Sequence, residues 1–267
     1  MSKTKIDAYS LLKKVREQKP VVHHLTNWVT IYDCANIIKT LGASPVMAHA
    51  REEAAEMASI ASSLVLNIGT LTPDFIEAMK IAAISANKKG IPVILDVCGV
   101  GATKLRDEKS FELLNEVKID IVKGNASEIA RISGENIRTK GVDSVEVNAD
   151  MLNVSRWLAD RFKAVIVVTG SHDIVTGKDK SYIVKNGHPM MANVVGTGCM
   201  AASVIGTFAA VEKNLAHAAV SALVCFEIAA ELAAKKSKGP ASFKESMFDF
   251  LFNLDKKTIN RMQRVCV

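Results

Sequence analysis

Aromatic residues are scarce: Phe, Trp and Tyr make up 5% of the 267 residues. Proline, at six residues, is too rare for a collagen-like or low-complexity chain. With 49% hydrophobic and 23% charged residues, the composition also excludes intrinsic disorder. The five cysteines (Cys34, Cys98, Cys199, Cys225 and Cys266) contain no Cys-x-x-Cys pair. Neither a zinc site nor a disulfide framework is therefore indicated. No basic block is longer than two residues, and the net charge of +6 is spread along the chain. That pattern reads as a solvated surface tolerant of anionic ligands, not as a nucleic-acid face. From Asn186 to Val211 there is no Asp, Glu, Lys or Arg. His188, Pro189, Asn193, Gly196 and Gly198 interrupt that stretch, so an apolar helix of about 20 residues cannot run through it. The first residues carry no apolar signal core. The expectation is a reduced, cytoplasmic, soluble protein without a nucleic-acid or membrane partner.

Two motif absences narrow the chemistry. No G-x-x-x-x-G-K-[ST] occurs, which excludes a Walker-type NTPase. Gly99-Val100-Gly101 fails the dinucleotide fingerprint because Lys104 stands where the third glycine belongs.

The remaining pattern alternates. Helical spacing marks residues 6–17 and 30–41, with a short apolar run at Val21-Val22. Ser63–Gly69 suits a buried strand, and Thr72-Pro73-Asp74 opens a helix that Gly90 closes. Pro92–Asp96 is the next strand, followed by a helix near 108–117, a strand at 120–122 and a helix from Asn125. A helix near 149–162 and a strand at 165–168 complete the alternation, and residues 174–183 form a hairpin turning at 176–179. Helices are expected at 198–211, 214–236 and 241–256. Strand–helix repeats of this kind predict an α/β fold, a mostly parallel sheet with helices on both faces. No linker or repeat divides the chain, so residues 1–267 are read as one domain. Helix 214–236 is apolar nearly all round, broken by Glu227 and Glu231, which suits burial or a subunit interface.

In open parallel sheets ligands bind beyond the carboxyl ends of the strands. Four places qualify: Gly69-Thr70, Asp96 with the loop 99–103, Lys123–Glu128, and Thr169-Gly170. Glycines and polar groups there are what a phosphate-bearing ligand needs. Asn125-Ala126-Ser127-Glu128 also reads as a capping box, with Asn125 as N-cap and Glu128 at N3. Asp96 has an alternative as a turn cap. Val194–Ala202 is more informative: Gly196-Thr197-Gly198 precedes an apolar helix and forms an anion cradle at its N-terminus. The alternative there is a left-handed turn before a core helix. Cys199 sits on the first turn, where the helix dipole lowers a thiol's pKa.

At these residues the chain resembles the hydroxyethylthiazole kinase family of the ribokinase superfamily, over essentially its whole length. The stretches that carry the resemblance are His23–Asn27, Leu41–Met47, Leu66–Leu71, Gly99–Thr103, Lys123–Glu128, Gly141–Ser144, Asn186–Pro189 and Gly196–Cys199. The resemblance implies a three-layer α/β/α ribokinase-like fold and a homotrimer with sites at subunit interfaces. It implies ATP-dependent phosphorylation of the hydroxyl of 4-methyl-5-(2-hydroxyethyl)thiazole for thiamine diphosphate biosynthesis or salvage. By position, Met47, Gly196 and Asn27 would contact the thiazole. Lys123, Thr169 and Asn125 would hold ATP, and Asp96 and Glu128 would organise Mg²⁺, partly through water. Gly196, Thr197 and Gly198 would form the anion hole, with Cys199 facing the substrate hydroxyl. Three positions depart from the family pattern: Cys98 replaces a usual Pro, Lys123 a commoner Arg, and His24 a frequent Asn. His23 and His49 are open between lining the site and a structural role.

Within the superfamily, a kinase for hydroxymethylpyrimidine shares the anion-hole logic without predicting Gly42–Met47. An ATP-dependent hydratase-like protein would share the cradle but usually carries Asp in place of Cys199.

Overall fold

The computed structural model describes residues 6–134 and 151–267. The motif Gly141–Ser144 and the start of the helix expected from 149 lie outside the described residues. In chain order the elements are α1 (Ala8–Gln18), β1 (Val21–Leu25), α2 (Ile31–Thr40), β2 (Ser44–Val46), α3 (Ala54–Ile60), β3 (Ser63–Asn67) and α4 (Pro73–Lys89). Then come β4 (Val93–Asp96), α5 (Lys104–Glu116), β5 (Ile121–Asn125), α6 (Ala126–Ser133), α7 (Met151–Phe162) and β6 (Val165–Thr169). β7 (Asp173–Thr176) and β8 (Ser181–Val184) form the expected hairpin. A 3₁₀ turn at Pro189–Asn193 leads into α8 (Thr197–Ala209), α9 (Leu215–Ala234), α10 (Pro240–Phe252), α11 (Lys256–Met262) and β9 (Val265–Cys266).

Among the described residues the strands form one sheet in the order β2-β1-β3-β4-β5-β6-β7-β8-β9. Pairings from β2 through β6 are parallel, and the last three are antiparallel. The side-chain period of two sorts the buried residues into two cores. Val65, Ile94, Ile121 and Val167 face the layer of α1, α2, α8, α9 and α10. Leu64, Leu66, Leu95, Val122 and Ile166 face the layer of α3 to α7. The architecture is the expected three-layer α/β/α sandwich.

Several boundaries differ from the sequence reading. α5 begins at Lys104 because Thr103 caps it, its Oγ1 accepting from the N–H of Arg106 at 3.4 Å. β5 runs through Asn125, so Lys123 and Gly124 lie within the strand instead of after it. The helix expected at 241–256 is two, separated where Asp255 starts α11 by accepting from the N–H of Thr258 at 2.7 Å. β2, α3 and β9 are too short, at 3, 7 and 2 residues, to show a clear period.

α9 is the one described helix long and apolar enough to cross a membrane, but it lies within the protein core, packed by α8 and α10. Its two acids differ in their surroundings. Glu231 pairs with Arg264 at 2.7 Å and accepts from Asn186 at 2.9 Å. Glu227 is buried near Asp173 of β7, and burial, reinforced by that neighbouring carboxylate, pushes its pKa well above the usual range.

α8 crosses directly over β3 and β4, and Gly206 is what lets it approach. A Cβ there would lie 2.2 Å from Cγ2 of Val65 and 3.8 Å from Cδ1 of Ile94. That approach sets the height of the helix's first turn above the strand ends. Gly206→Ala is expected to lower the unfolding free energy by about 1–3 kcal/mol, more than the ~1 kcal/mol that Ala gains in helix propensity. Thermal denaturation showing an unchanged or raised Tm would contradict this packing.

Candidate active site

Strand register assembles the site. Asn67 of β3 pairs with Asp96 of β4, and Asp96 pairs with Lys123 of β5. The three side chains therefore form a row across the carboxyl ends of the central strands. They lie two residues beyond Val65, Ile94 and Ile121, on the face covered by α8. Next to this row is the first turn of α8, which carries Cys199. Asn27, just past β1, closes the other side.

All of these groups are buried, and their bonds are specific. Lys123 Nζ lies 3.3 Å from Asp96 Oδ1. Asn67 Nδ2 donates to Asp96 Oδ2 at 2.7 Å and to Cys199 Sγ at 3.3 Å. Asn27 Nδ2 donates to Asn67 Oδ1 at 2.9 Å and to Cys199 Sγ at 3.3 Å. Both amide orientations are set by backbone donors. Asn27 Oδ1 accepts from Val29 and Thr30 N–H, and Asn67 Oδ1 accepts from Gly69 N–H. Their NH₂ groups must then face the sulfur, which is held as an acceptor.

The charges follow from this packing. Burial raises the pKa of Asp96, and the Lys123 ammonium partly reverses the effect. Burial works against the charge on Lys123, but the Asp96 and Glu128 carboxylates outweigh it and hold the amine protonated. The neighbouring Cys98 thiol is the leading influence that brings the Cys199 thiol down to about 7, with burial opposing. The Cys98 thiol is pushed up in turn by Cys199 and by burial. The helix-dipole expectation for Cys199 is thus right in direction, with a neighbouring thiol as the leading cause.

Gly196 caps α8 in the left-handed region, at φ 90°, where a Cβ would clash with Thr30 Cγ2 at 2.5 Å. A Cβ on Gly198 would lie 3.1 Å from Lys123 Nζ, so the ammonium sits against the start of the helix. Among the described residues Lys123 has a single hydrogen bond, to Asp96. A buried ammonium with donors to spare beside first-turn amides is chemically suited to an anion. Thr197 turns back instead, its hydroxyl donating to Met191 O at 3.0 Å.

Glu128 is the N3 residue of the expected capping box, which is fully formed. Its carboxylate does more, accepting from Asn125 N–H and Gly99 N–H, both at 2.7 Å, and so joins α6 to the loop after β4. Burial raises its pKa to about 7, with Lys123 pulling back. Asn125 Oδ1 accepts from Glu128 N–H at 2.9 Å and from Ser127 at 2.8 Å. Thr169 ends β6 beside Asn125 and donates to Gly124 O at 3.4 Å. Met47 follows β2 at the same end of the sheet. Asp96 and Glu128 offer hard carboxylate oxygens near Lys123, suited to an ion that keeps much of its water. Among the described residues no cluster of three or more His, Cys, Asp or Glu is arranged for direct metal ligation.

The histidines are distributed differently. His23 bonds Ala48 O at 2.9 Å, and burial lowers its pKa. His24 lies against Ser203 Oγ at 3.2 Å, and burial pushes it down to about 3, so it is neutral. His49 clusters with Trp28 and Phe75, its ring centroid 4.8 Å from the first and 5.1 Å from the second, which lie 6.1 Å from each other, and its Nε2 bonds Thr26 O at 3.1 Å.

Two residues had no assigned role from sequence. Asn67 stands inside the Asn-Ile-Gly-Thr-Leu motif, where its position at a strand end was the available signal. Arg106, with no signal in the sequence, ties the loops together. Its guanidinium donates to Ile68 O, Cys98 O and Gly69 O at 2.9, 3.0 and 2.6 Å.

The family model "Hydroxyethylthiazole kinase family" matches residues 12–257. A hydroxyethylthiazole kinase of Methanosarcina mazei is 53% identical over 254 residues, covering 95% of this chain and 97% of that one. Another, from Methanosarcina acetivorans, is 52% identical over 252 residues, covering 94% and 97%. A solved structure of a hydroxyethylthiazole kinase protein from Pyrococcus horikoshii OT3 superposes with a TM-score of 0.88 at 38% identity, covering 97% of this chain and 98% of that one. A match running from α1 to α11, across every strand end that builds the site, places the chain in the hydroxyethylthiazole kinase family.

Proposed function

We propose that the protein transfers the γ-phosphoryl group of ATP to the hydroxyl of 4-methyl-5-(2-hydroxyethyl)thiazole, yielding the thiazole phosphate used for thiamine diphosphate. The observation that carries the reading is the buried row Asn67–Asp96–Lys123 meeting Cys199 at the start of α8, in a chain of this family. The five cysteines are all free thiols, which supports a reduced, cytoplasmic setting.

Each group has a task. Met47, Asn27 and Gly196 hold the thiazole with its hydroxyl toward Cys199. Lys123, Thr169 and Asn125 hold the nucleotide, and Lys123 with the amides of Gly196–Cys199 meets the charge on the transferring phosphoryl group. The substrate oxygen bonds to the γ-phosphorus, the bond to the β-phosphate oxygen breaks, and the hydroxyl proton passes to the Cys199 sulfur. Asp96 and Glu128 would hold Mg²⁺, which when bound neutralises phosphate charge. Bonding to the incoming oxygen is weak in such transition states, so positioning and charge supply most of the rate.

This reading also takes the active unit to be a homotrimer with shared sites. Trp28, Val29, Tyr32 and Val195 are 59%, 68%, 77% and 73% exposed and flank Asn27 and Gly196. Large apolar groups in the open beside a site suit a subunit contact. Sedimentation at micromolar concentration should give three chains, and a single-chain mass would overturn the shared site.

The central test offers hydroxyethylthiazole, hydroxymethylpyrimidine or no acceptor with Mg·ATP and detects product by mass. Phosphorylated thiazole is expected; its absence in folded protein rejects the reading. Cys199→Ala should lower kcat by roughly 10- to 100-fold, the usual range for a lost general base. Only the thiolate accepts the proton, so the parent's kcat should rise with pH through about 7. Cys199→Asp, already ionised, should be at least as active and keep its rate below that pH. Complete loss in Cys199→Asp with intact ATP binding would contradict the role given to the sulfur.

Glu128→Gln separates brace from metal organiser. An amide oxygen can serve only one of the two backbone donors, so stability should drop by about 1–3 kcal/mol. In the folded variant, kcat should fall about tenfold and half-maximal rate should require more Mg²⁺. An unchanged Mg²⁺ requirement would leave Glu128 as a brace alone.

A further inference from the structure

The pairing of β1 with β2 ends at His23 opposite Val46. β2 is a three-residue edge strand whose side chains are all partly exposed, and a short edge element has little local stability. Met47, the thiazole contact of the proposed function, comes directly after it. We propose that His49 is a positioning residue that ties Met47 to the segment carrying Asn27 and so sets the fit of the thiazole. The thiazole assignment rests on the proposed function; the tie itself does not.

Side chains take over where the strand register stops. His49 Nδ1 meets Met47 O at 2.5 Å, and its Nε2 meets the carbonyl of Thr26, the residue before Asn27, at 3.1 Å. An imidazole with one proton donates to one of these oxygens, and with two protons to both. The bond to Met47 stays within the turn and sets the ring. The bond to Thr26 spans 23 positions and joins the segment after β2 to the segment after β1. His23 adds a second tie in the opposite direction, from β1 to Ala48 O at 2.9 Å. The segment on the β1 side is rigid. Asn27 Nδ2 donates to Asn67 and to Cys199 Sγ, and Asn27 Oδ1 accepts from Val29 and Thr30 N–H. Fastening Met47 to Thr26 therefore places it in the same frame as the Cys199 sulfur.

The ring is also packed. Its plane is inclined by 25° to the Trp28 ring and by 18° to the Phe75 ring. Phe75 is buried on the first turn of α4, where Thr72 Oγ1 accepts from its N–H at 3.2 Å. Trp28 is largely exposed, with its backbone N–H held by Thr70 Oγ1 at 3.1 Å. These contacts restrict the tilt of the imidazole while its nitrogens meet the two carbonyls. A role in ring packing alone would depend on the aromatic face and not on the nitrogens. Substitution separates the two.

The full-length parent, His49→Gln, His49→Asn and His49→Phe are compared for kcat, for KM of hydroxyethylthiazole and of ATP, and for hydrogen exchange in peptides covering residues 44–50. Gln places an amide N–H where Nε2 stands and keeps the tie to Thr26, Asn reaches only Met47 O, and Phe keeps the ring but has no donor. His49→Asn and His49→Phe should raise the thiazole KM by about five- to tenfold, with kcat and the ATP KM within about twofold of the parent. Exchange over 44–50 should quicken several-fold in both. His49→Gln should stay within about threefold of the parent in thiazole KM and match its exchange. In a Met47→Ala background, His49→Asn should change the thiazole KM by less than about twofold, because its effect passes through Met47. His49→Phe at the parent's level with His49→Gln impaired would overturn the tie and leave ring packing as the role. Unchanged exchange in His49→Asn and His49→Phe would overturn it as well, with the kinase reading intact. Additive effects in the Met47→Ala background would overturn positioning through Met47. A parent that phosphorylates no thiazole, with exchange as expected, would contradict the thiazole assignment and support the tie.

Discussion

A buried ion pair organises this molecule. Asp96 and Lys123, 1% and 4% exposed, face each other at 3.3 Å on adjacent parallel strands. Neither could stand there alone, because an isolated charge in such a place costs several kcal/mol. Each therefore requires the other, and the register of β4 on β5 is bound to the pair. Asn67 extends the row by one strand and carries it to the sulfur of Cys199. The interaction that stabilises the strand ends is thus the one that fills them with charge.

The pairing also explains why the site uses strands and one helix start instead of mobile loops. Gly206 brings α8 onto β3 and β4, Gly198 lets the Lys123 ammonium reach the first turn, and Gly196 makes the turn itself. The loops that remain are braced by Arg106 and Glu128, which together satisfy backbone groups in the segments after β3 and β4 and at the end of β5. A site built this way arrives with its dipoles already oriented, which is what stabilising a transferring phosphoryl group demands.

Much of this was legible in the sequence. The strand–helix alternation and the β7–β8 hairpin gave the layers, the rule that ligands sit at carboxyl ends of strands led to Gly69, Asp96, Lys123 and Thr169, and the glycines ahead of an apolar helix led to Gly196. The capping box at Asn125 and Glu128 was readable from spacing alone. What was hidden depends on contacts distant in sequence. Asn67 reaches Cys199 across 132 positions, and Arg106 reaches Ile68 and Gly69 across 38 and 37. No local period encodes such bonds. Short elements such as β2 and β9 exist because a neighbouring strand edge receives them, so propensity alone misses them. The second function of Glu128, holding Gly99, was masked by the sufficiency of its first.

The claim that the Asp96–Lys123 pair underlies both fold and site is tested most directly by a double-mutant cycle read in urea denaturation. The variants are Asp96→Asn, Lys123→Met and the two combined. Each single change should cost about 3–5 kcal/mol by leaving a buried charge unpaired. The double variant should cost less than the sum by about 2 kcal/mol or more. Costs that add to within about 0.5 kcal/mol would contradict the account.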